Sequence, residues 1–239
     1  GSEMCIRDRP LTIGYAPTSG IIYPASDRPE DIEAARKKYF SMPEDDSNWT
    51  WNVAWWSDPV LLGKYPEEGL KKYEKYLPKI TEEDMRLISE PIDVYGQNIY
   101  NGRAFRMGAD GNPEEVGRVP GAGKTAVNWP VTPECLYWGP KFLYERYKKP
   151  IYITENGMAC HDIVSLDQRV HDPNRIDFLA RYLHELKRAA EEIDLRGYFQ
   201  WSLMDNFEWE KGYAERFGIV YVDFETQERI LKDSAYWYR

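Results

Sequence analysis

Two short stretches carry the side chains best suited to chemistry. The first is Thr154-Glu155-Asn156-Gly157, which directly follows the apolar run Ile151-Tyr152-Ile153. If that run is a parallel strand, Glu155 sits at its C-terminal tip, where barrel enzymes keep catalytic groups. Gly157 then lets the chain turn sharply away. An ordinary loop carboxylate fits the same spacing. The second stretch, residues 197–209, reads Gly-Tyr-Phe-Gln-Trp-Ser-Leu-Met-Asp-Asn-Phe-Glu-Trp. It gathers the flat indoles of Trp201 and Trp209 with the carboxylates of Asp205 and Glu208. Rings beside charged acceptors suit a sugar, whose apolar face packs on indole while its hydroxyls donate to oxygen. Taken singly, Trp201 and Phe207 read equally well as plain core.

These residues need elements to hold them. Four β-type runs, at 11–15, 92–98, 151–154 and 197–201, are each followed by helical territory. One helix is expected from Pro29, with Ile32, Ala35 and Tyr39 on one face, and another after Pro66. Thr81 and Asp84 have capping-box spacing. Pro140 is expected to open a helix reaching Tyr147, because proline is tolerated in a first turn and not in a helix interior. Asp172-Pro173 should cap a long helix with Ile176, Leu179, Leu183, Leu186, Ala190 and Ile193 on one stripe. Residues 108–124 read as a polar loop, 218–224 as an extra β ribbon, and a last helix begins near Asp233. Strand–helix alternation means an α/β fold with a parallel sheet and helices outside. A complete eight-unit barrel takes about 250 residues, but only four β/α units are found here.

The 239 residues include 31 basic and 40 acidic side chains, a net charge of −9 that argues against a nucleic-acid partner. No stretch approaches the roughly eighteen apolar residues of a membrane span. Cysteines at 5, 135 and 160 show no metal-ligand or Cys-x-x-Cys spacing. So sparse and odd a count points to a reducing compartment, here the cytoplasm. His161, His171 and His184 are scattered, and no metal or cofactor is expected. Asn48-Trp49-Thr50 is a formal glycosylation sequon read as chance. Residues 1–9, with Met4-Cys5-Ile6-Arg7-Asp8-Arg9, resemble a translated sequencing adapter and are set aside as a non-native tail before a domain at 10–239.

With Phe217-Gly218 and Lys232-Asp233-Ser234-Ala235-Tyr236-Trp237 behind them, the two motifs closely resemble family 1 of the glycoside hydrolases, the β-glucosidase family. The resemblance runs from about residue 10 to the C-terminus. It implies a (β/α)8 TIM barrel, here a partial barrel holding the last four β/α units, and cleavage of β-glycosides with retention. By position, Glu155 corresponds to the family's nucleophile. Asn98-Ile99-Tyr100 matches the stretch whose Tyr hydroxyl bonds that nucleophile, a donor that keeps a carboxylate charged and oriented. Trp201 matches the platform under the glycone ring, and Glu208 and Trp209 match the groups holding its outer hydroxyls. Phe217 matches an aromatic near the sixth carbon, and Trp129 resembles an indole lining the aglycone site.

The departure from the family lies in the second carboxyl group. Retaining hydrolysis needs two, about 5–5.5 Å apart. The family's acid/base stands in a Thr-x-Asn-Glu-Pro segment that is absent here; Ser89-Glu90-Pro91 imitates it but precedes the strand at 92–98 and lacks the Asn. The implied protein is therefore the C-terminal half of a retaining β-glycosidase. Its substrates would be small β-glucosides or disaccharides in carbohydrate catabolism, and this chain alone would be inactive. The alternatives are a 6-phospho-β-glycosidase and a non-catalytic carbohydrate-binding fragment. Against phosphate, Glu208 and Glu215 would face like charge, with only Lys211 and Arg216 as cations in residues 208–217.

Overall fold

The computed structural model describes residues 12–43 and 51–239. The tail at 1–9, Leu11 and the Asn48-Trp49-Thr50 sequon lie outside the described residues. In chain order the strands are β1 (Gly14–Tyr15), β2 (Ile21–Pro24), β3 (Val94–Asn98), β4 (Gly102–Met107), β5 (Pro113–Val116), β6 (Ile151–Asn156), β7 (Leu195–Gln200), β8 (Val220–Val222) and β9 (Arg229–Leu231). The α-helices are α1 (Pro29–Phe40), α2 (Val53–Leu62), α3 (Glu67–Tyr73), α4 (Glu82–Ile88), α5 (Cys135–Tyr147), α6 (Pro173–Ala190) and α7 (Asp233–Tyr238).

Strands β1, β3, β6 and β7 lie side by side in that order, every pair parallel. This is the four-unit arc of a barrel, with each C-terminal strand end on the same rim. Tyr95, Ile151 and Ile153 of the sheet form one core with Leu136, Phe142 and Leu143 of α5 and Phe178, Leu179 and Tyr182 of α6. On the other side of the sheet Tyr152 stacks with Phe199, ring centroids 6.5 Å apart, and Phe199 stays 57% exposed. α4 carries the expected capping box between Thr81 and Asp84.

Several expectations need correction. The stretch at 108–124 is not wholly loop, because β5 pairs antiparallel with β4, which itself runs parallel to β2 in a second sheet. Opposed charges support that pairing: Arg106 bonds Glu114 and Arg103 bonds Glu115 across the strands. Pro113 takes the first position, where its missing N–H costs nothing. α5 begins at Cys135 and runs through Pro140. Tertiary packing overrides the proline: a Cβ on Gly139 would stand 3.2 Å from Ile99, so this turn is pressed onto the sheet. The buried face of α6 is Arg175, Phe178, Leu179, Tyr182, Leu186 and Ala189, displaced from the purely apolar stripe. Asp172 does not cap α6 through its side chain. It accepts instead from the Ser234 amide at 2.8 Å, from the Ser234 hydroxyl and from Arg175.

Candidate active site

Glu155 stands in register with Asn98, so β6 and β3 deliver their ends to the same place. Both segments are pinned. The Ile99 amide donates to the Glu155 carbonyl at 2.9 Å, Asn156 Nδ2 donates to the Ile99 carbonyl at 2.8 Å, and the Tyr182 hydroxyl donates to the Tyr100 carbonyl at 3.1 Å. The Tyr100 hydroxyl then donates to Glu155 Oε2 at 2.7 Å. Burial first, and the adjoining Glu155 carboxylate next, push the Tyr100 hydroxyl far above the ordinary tyrosine range. It therefore keeps its proton and remains a donor. Thr154 Oγ1 donates to Asn98 Oδ1 at 2.7 Å, which orients that amide.

Glu155, Tyr100, Asn98, Trp129, Trp201, Glu208 and Trp209 all line one cleft of about 640 Å³. Trp129 meets Tyr100 edge-on, with ring centroids 5.1 Å apart. Trp209 stands at the rim, 79% exposed. Burial raises the Glu208 carboxyl above its ordinary value; Glu155 and Glu215 raise it further, and a hydrogen bond from Trp201 pulls it back. Phe217 is the exception among the expected contacts. It is 3% exposed and lies behind the cleft against Tyr100 and Trp129, at 6.1 and 6.0 Å. Its place is to buttress those two rings.

The loop carrying Trp201 and Glu208 is fixed from beneath. A Cβ on Gly157 would lie 1.8 Å from the Trp201 carbonyl, so glycine is required there by backbone contact and not by a left-handed turn. Gly218 is similar, its virtual Cβ falling 2.2 Å from the Asp205 amide. Below them is a buried ionic cluster. Lys232 Nζ reaches Asp162 at 2.6 Å and Asp205 at 2.7 Å; Arg175 pairs with Asp162 and Asp172; Arg216 reaches Asp205 at 2.6 Å. Three cations meet three carboxylates, so the group is balanced. Burial, and then neighbouring Arg175, lower the Lys232 ammonium, while Asp162 and Asp205 oppose that shift. Asp205, which looked like a sugar acceptor, is therefore a buried strut that also accepts from the Gly218 amide at 3.0 Å. Phe207 is 58% exposed and belongs to no core.

Glu90 follows α4 on the N-terminal side of β3, at the opposite end of the sheet from Glu155. It pairs with Arg86 at 3.7 Å in the open. Cleft residues not anticipated are Thr18, Ser19, Gly20, Trp51 and Asn101. Thr18 bridges Asn98, so Thr18, Ser19, Gly20 and Asn101 follow strand ends on the same rim. The position rule that singled out Glu155 applied to them too. No group of three or more His, Cys, Asp or Glu able to hold a metal ion occurs among the described residues.

The sequence profile of glycosyl hydrolase family 1 matches residues 7–239. The chain is 44% identical over 230 residues to β-glucosidase A of Thermotoga maritima, covering 95% of this chain and 49% of the relative. It is 40% identical over 237 residues to β-glucosidase A of Acetivibrio thermocellus, covering 95% and 50%. The solved β-glucosidase from Thermotoga maritima in complex with deoxynojirimycin superposes with a TM-score of 0.77 at 43% identity, again over 95% and 50% of the two chains. The chain thus spans about half the length of the curated relatives it matches. The chain belongs to glycosyl hydrolase family 1.

Proposed function

We propose that this chain carries the nucleophile and part of the glycone wall of a retaining β-glycosidase that cleaves unphosphorylated β-glucosides. The observation that carries this reading is the 2.7 Å bond from Tyr100 to Glu155 at the floor of a cleft shared with Trp201 and Glu208. With Oε2 held by Tyr100, the Glu155 carboxylate presents its other oxygen to the anomeric carbon and forms the glycosyl ester. The bond to the aglycone breaks as the ester forms. Water then attacks the anomeric carbon opposite the ester, on the face the aglycone left, releasing the Glu155 carboxylate and giving retention. Trp201 supports the ring face, and Glu208 accepts from outer hydroxyls, a charge-assisted contact. Proton donation to the leaving oxygen falls to a group beyond the described cleft. The complex of the solved relative with deoxynojirimycin supports a small glucose-shaped ligand.

Two observations favour an unphosphorylated glycone. Arg216 is committed to Asp205 and stacks over Tyr221 at 4.0 Å, and Lys211 pairs with Glu210. Neither lines the cleft, whereas Glu208 does. A cytoplasmic location and a catabolic role complete the reading, and the free thiols of Cys135 and Cys160 accord with the former. Calorimetric titration of the chain with deoxynojirimycin tests the glycone assignment. Glu208→Gln should weaken binding by about tenfold, the worth of one hydrogen bond to a charged group. Equal affinity for both forms would refute the role given to Glu208.

A further inference from the structure

The backbone ladder is irregular where the cleft begins. The β3–β6 register slips between Gln97 and Asn98, and the β6–β7 register slips between Ile153 and Asn156. Such a slip interrupts the ladder bonds and bends the strand. Beyond the slips single backbone bonds join the strand ends: the Trp201 amide donates to the Asn156 carbonyl at 2.8 Å, as the Ile99 amide does to the Glu155 carbonyl. The rest of the fixation comes from side chains, and Tyr198 of β7 is their hub. Its hydroxyl shares one proton between Asn156 Oδ1 at 2.8 Å and Gln200 Oε1 at 3.2 Å. Asn156 is fully buried, and its Nδ2 carries the connection on to the carbonyl of Ile99, next to Tyr100. Gln200 Nε2 donates to the Trp201 carbonyl at 2.8 Å.

One hydroxyl is thereby tied to the residue after Glu155, to the residue before Tyr100 and to the Trp201 backbone. Burial, and then Tyr238, push that hydroxyl far above the ordinary tyrosine range, so it stays a donor. Its ring packs against the core between sheet and helices and meets Tyr238 at 6.4 Å. None of Tyr198, Asn156 and Gln200 lines the cleft, so each acts on the reaction only through the residues it holds. We infer that Tyr198 is a positioning residue for ester formation: through Asn156 it keeps Glu155 and Tyr100 at their bonding distance, and through Gln200 it ties the Trp201 backbone to the same point. This rests on the reading of Glu155 as the nucleophile. A misplacement of about 1 Å at a reacting group costs up to about 10²-fold in rate, and the register slips leave room for one.

Ester formation with a dinitrophenyl 2-deoxy-2-fluoro-β-glucoside, timed by mass spectrometry over a concentration series, tests the inference, because it separates the apparent dissociation constant from the maximal rate. Tyr198→Phe keeps the ring and removes only the hydroxyl. Counted per chain that binds deoxynojirimycin, its maximal rate should fall about tenfold, the worth of one hydrogen bond carried into the transition state, while the dissociation constant moves by about threefold at most. In a Tyr100→Phe background the same change should cost less than about threefold, because the bond it aligns is already gone; independent roles would multiply. A maximal rate within twofold of the unaltered chain overturns the inference, as does a further tenfold loss in the Tyr100→Phe background. A Tyr198→Phe chain that loses its fold or its deoxynojirimycin binding makes Tyr198 a structural residue and overturns the inference as well. No adduct on the unaltered chain refutes the nucleophile reading itself, whereas an adduct formed equally fast by Tyr198→Phe refutes only the role of Tyr198.

Discussion

Tyr100 and Glu155 lie 55 positions apart in the chain, and the hydroxyl of one donates to the carboxylate of the other at 2.7 Å. The bond exists because β3 and β6 are neighbours whose ends share a register. It engages one carboxylate oxygen of Glu155, Oε2, and constrains how the carboxyl group turns.

Replacing Tyr100 by Phe removes the donor and keeps the ring against Trp129. A hydrogen bond to a charged group is worth about 1.5–3 kcal/mol, so glycosylation of Glu155 should slow by roughly 10- to 100-fold. Single-turnover rates with an aryl β-glucoside bearing an excellent leaving group measure this. A rate within twofold of the unaltered chain would contradict it.

Hydrolysis of an unactivated alkyl β-glucoside by this chain should be negligible. A proton donor for the leaving oxygen contributes about 10²- to 10⁴-fold, and Glu155 and Glu208 are the only carboxyl groups among the described cleft residues. Glu90 lies at the far end of the sheet, so Glu90→Gln should not alter any residual rate. Product release followed by chromatography decides both points, and robust turnover would refute the first.

Lys232→Met leaves Asp162 and Asp205 buried without their shared cation. Breaking a buried ion pair by removing one partner costs about 3–5 kcal/mol, which lowers the Tm of a chain this size by about 10 °C or more. Thermal unfolding followed by circular dichroism measures it. A drop of a degree or two would show that the cluster is not a strut of the glycone loop.

Glu208 gives a pH dependence whose sign is fixed. Its carboxyl is raised above the ordinary 4.5 in the folded chain by burial and by Glu155, so folding favours the protonated form. Its contribution to stability is present below about pH 4.5 and is lost as pH rises through the folded value. Glu208→Gln should therefore raise Tm at neutral pH and leave it unaltered near pH 4. A stabilisation independent of pH would contradict this origin.

What could be read from the sequence divides along physical lines. Glu155 follows a strand-like run, and strand ends of a parallel sheet share one rim, so its place was legible from position; Trp201 and Glu208 stood out as part of the indole and carboxylate cluster at 197–209, and Tyr100 was named only through the family resemblance. The ionic cluster was hidden because Asp162, the Asp172–Arg175 pair, Asp205, Arg216 and Lys232 come from separate segments. A charged residue gives no sign of burial until its partner is known. Apolar periodicity likewise passed over Arg175 and Tyr182, which complete the buried face of α6. The β2–β4–β5 sheet was missed because its strands are short, carry Pro24 and Pro113, and pair through charges at Arg106 and Glu114. Phe217 fitted a sugar contact as an aromatic, and only its burial assigns it to the wall behind Tyr100 and Trp129.

The central claim, that Glu155 is the group that attacks the sugar, is tested most directly by trapping. A 2-deoxy-2-fluoro-β-glucoside with a dinitrophenolate leaving group needs no proton donor, and its fluorine slows release of the ester. Incubated with this chain and analysed by intact-mass and peptide mass spectrometry, it should add one fluoroglucosyl group on the peptide containing Glu155, and Glu155→Gln should abolish the adduct. No adduct after prolonged incubation, or one placed on Glu208 or another carboxylate, would contradict the account.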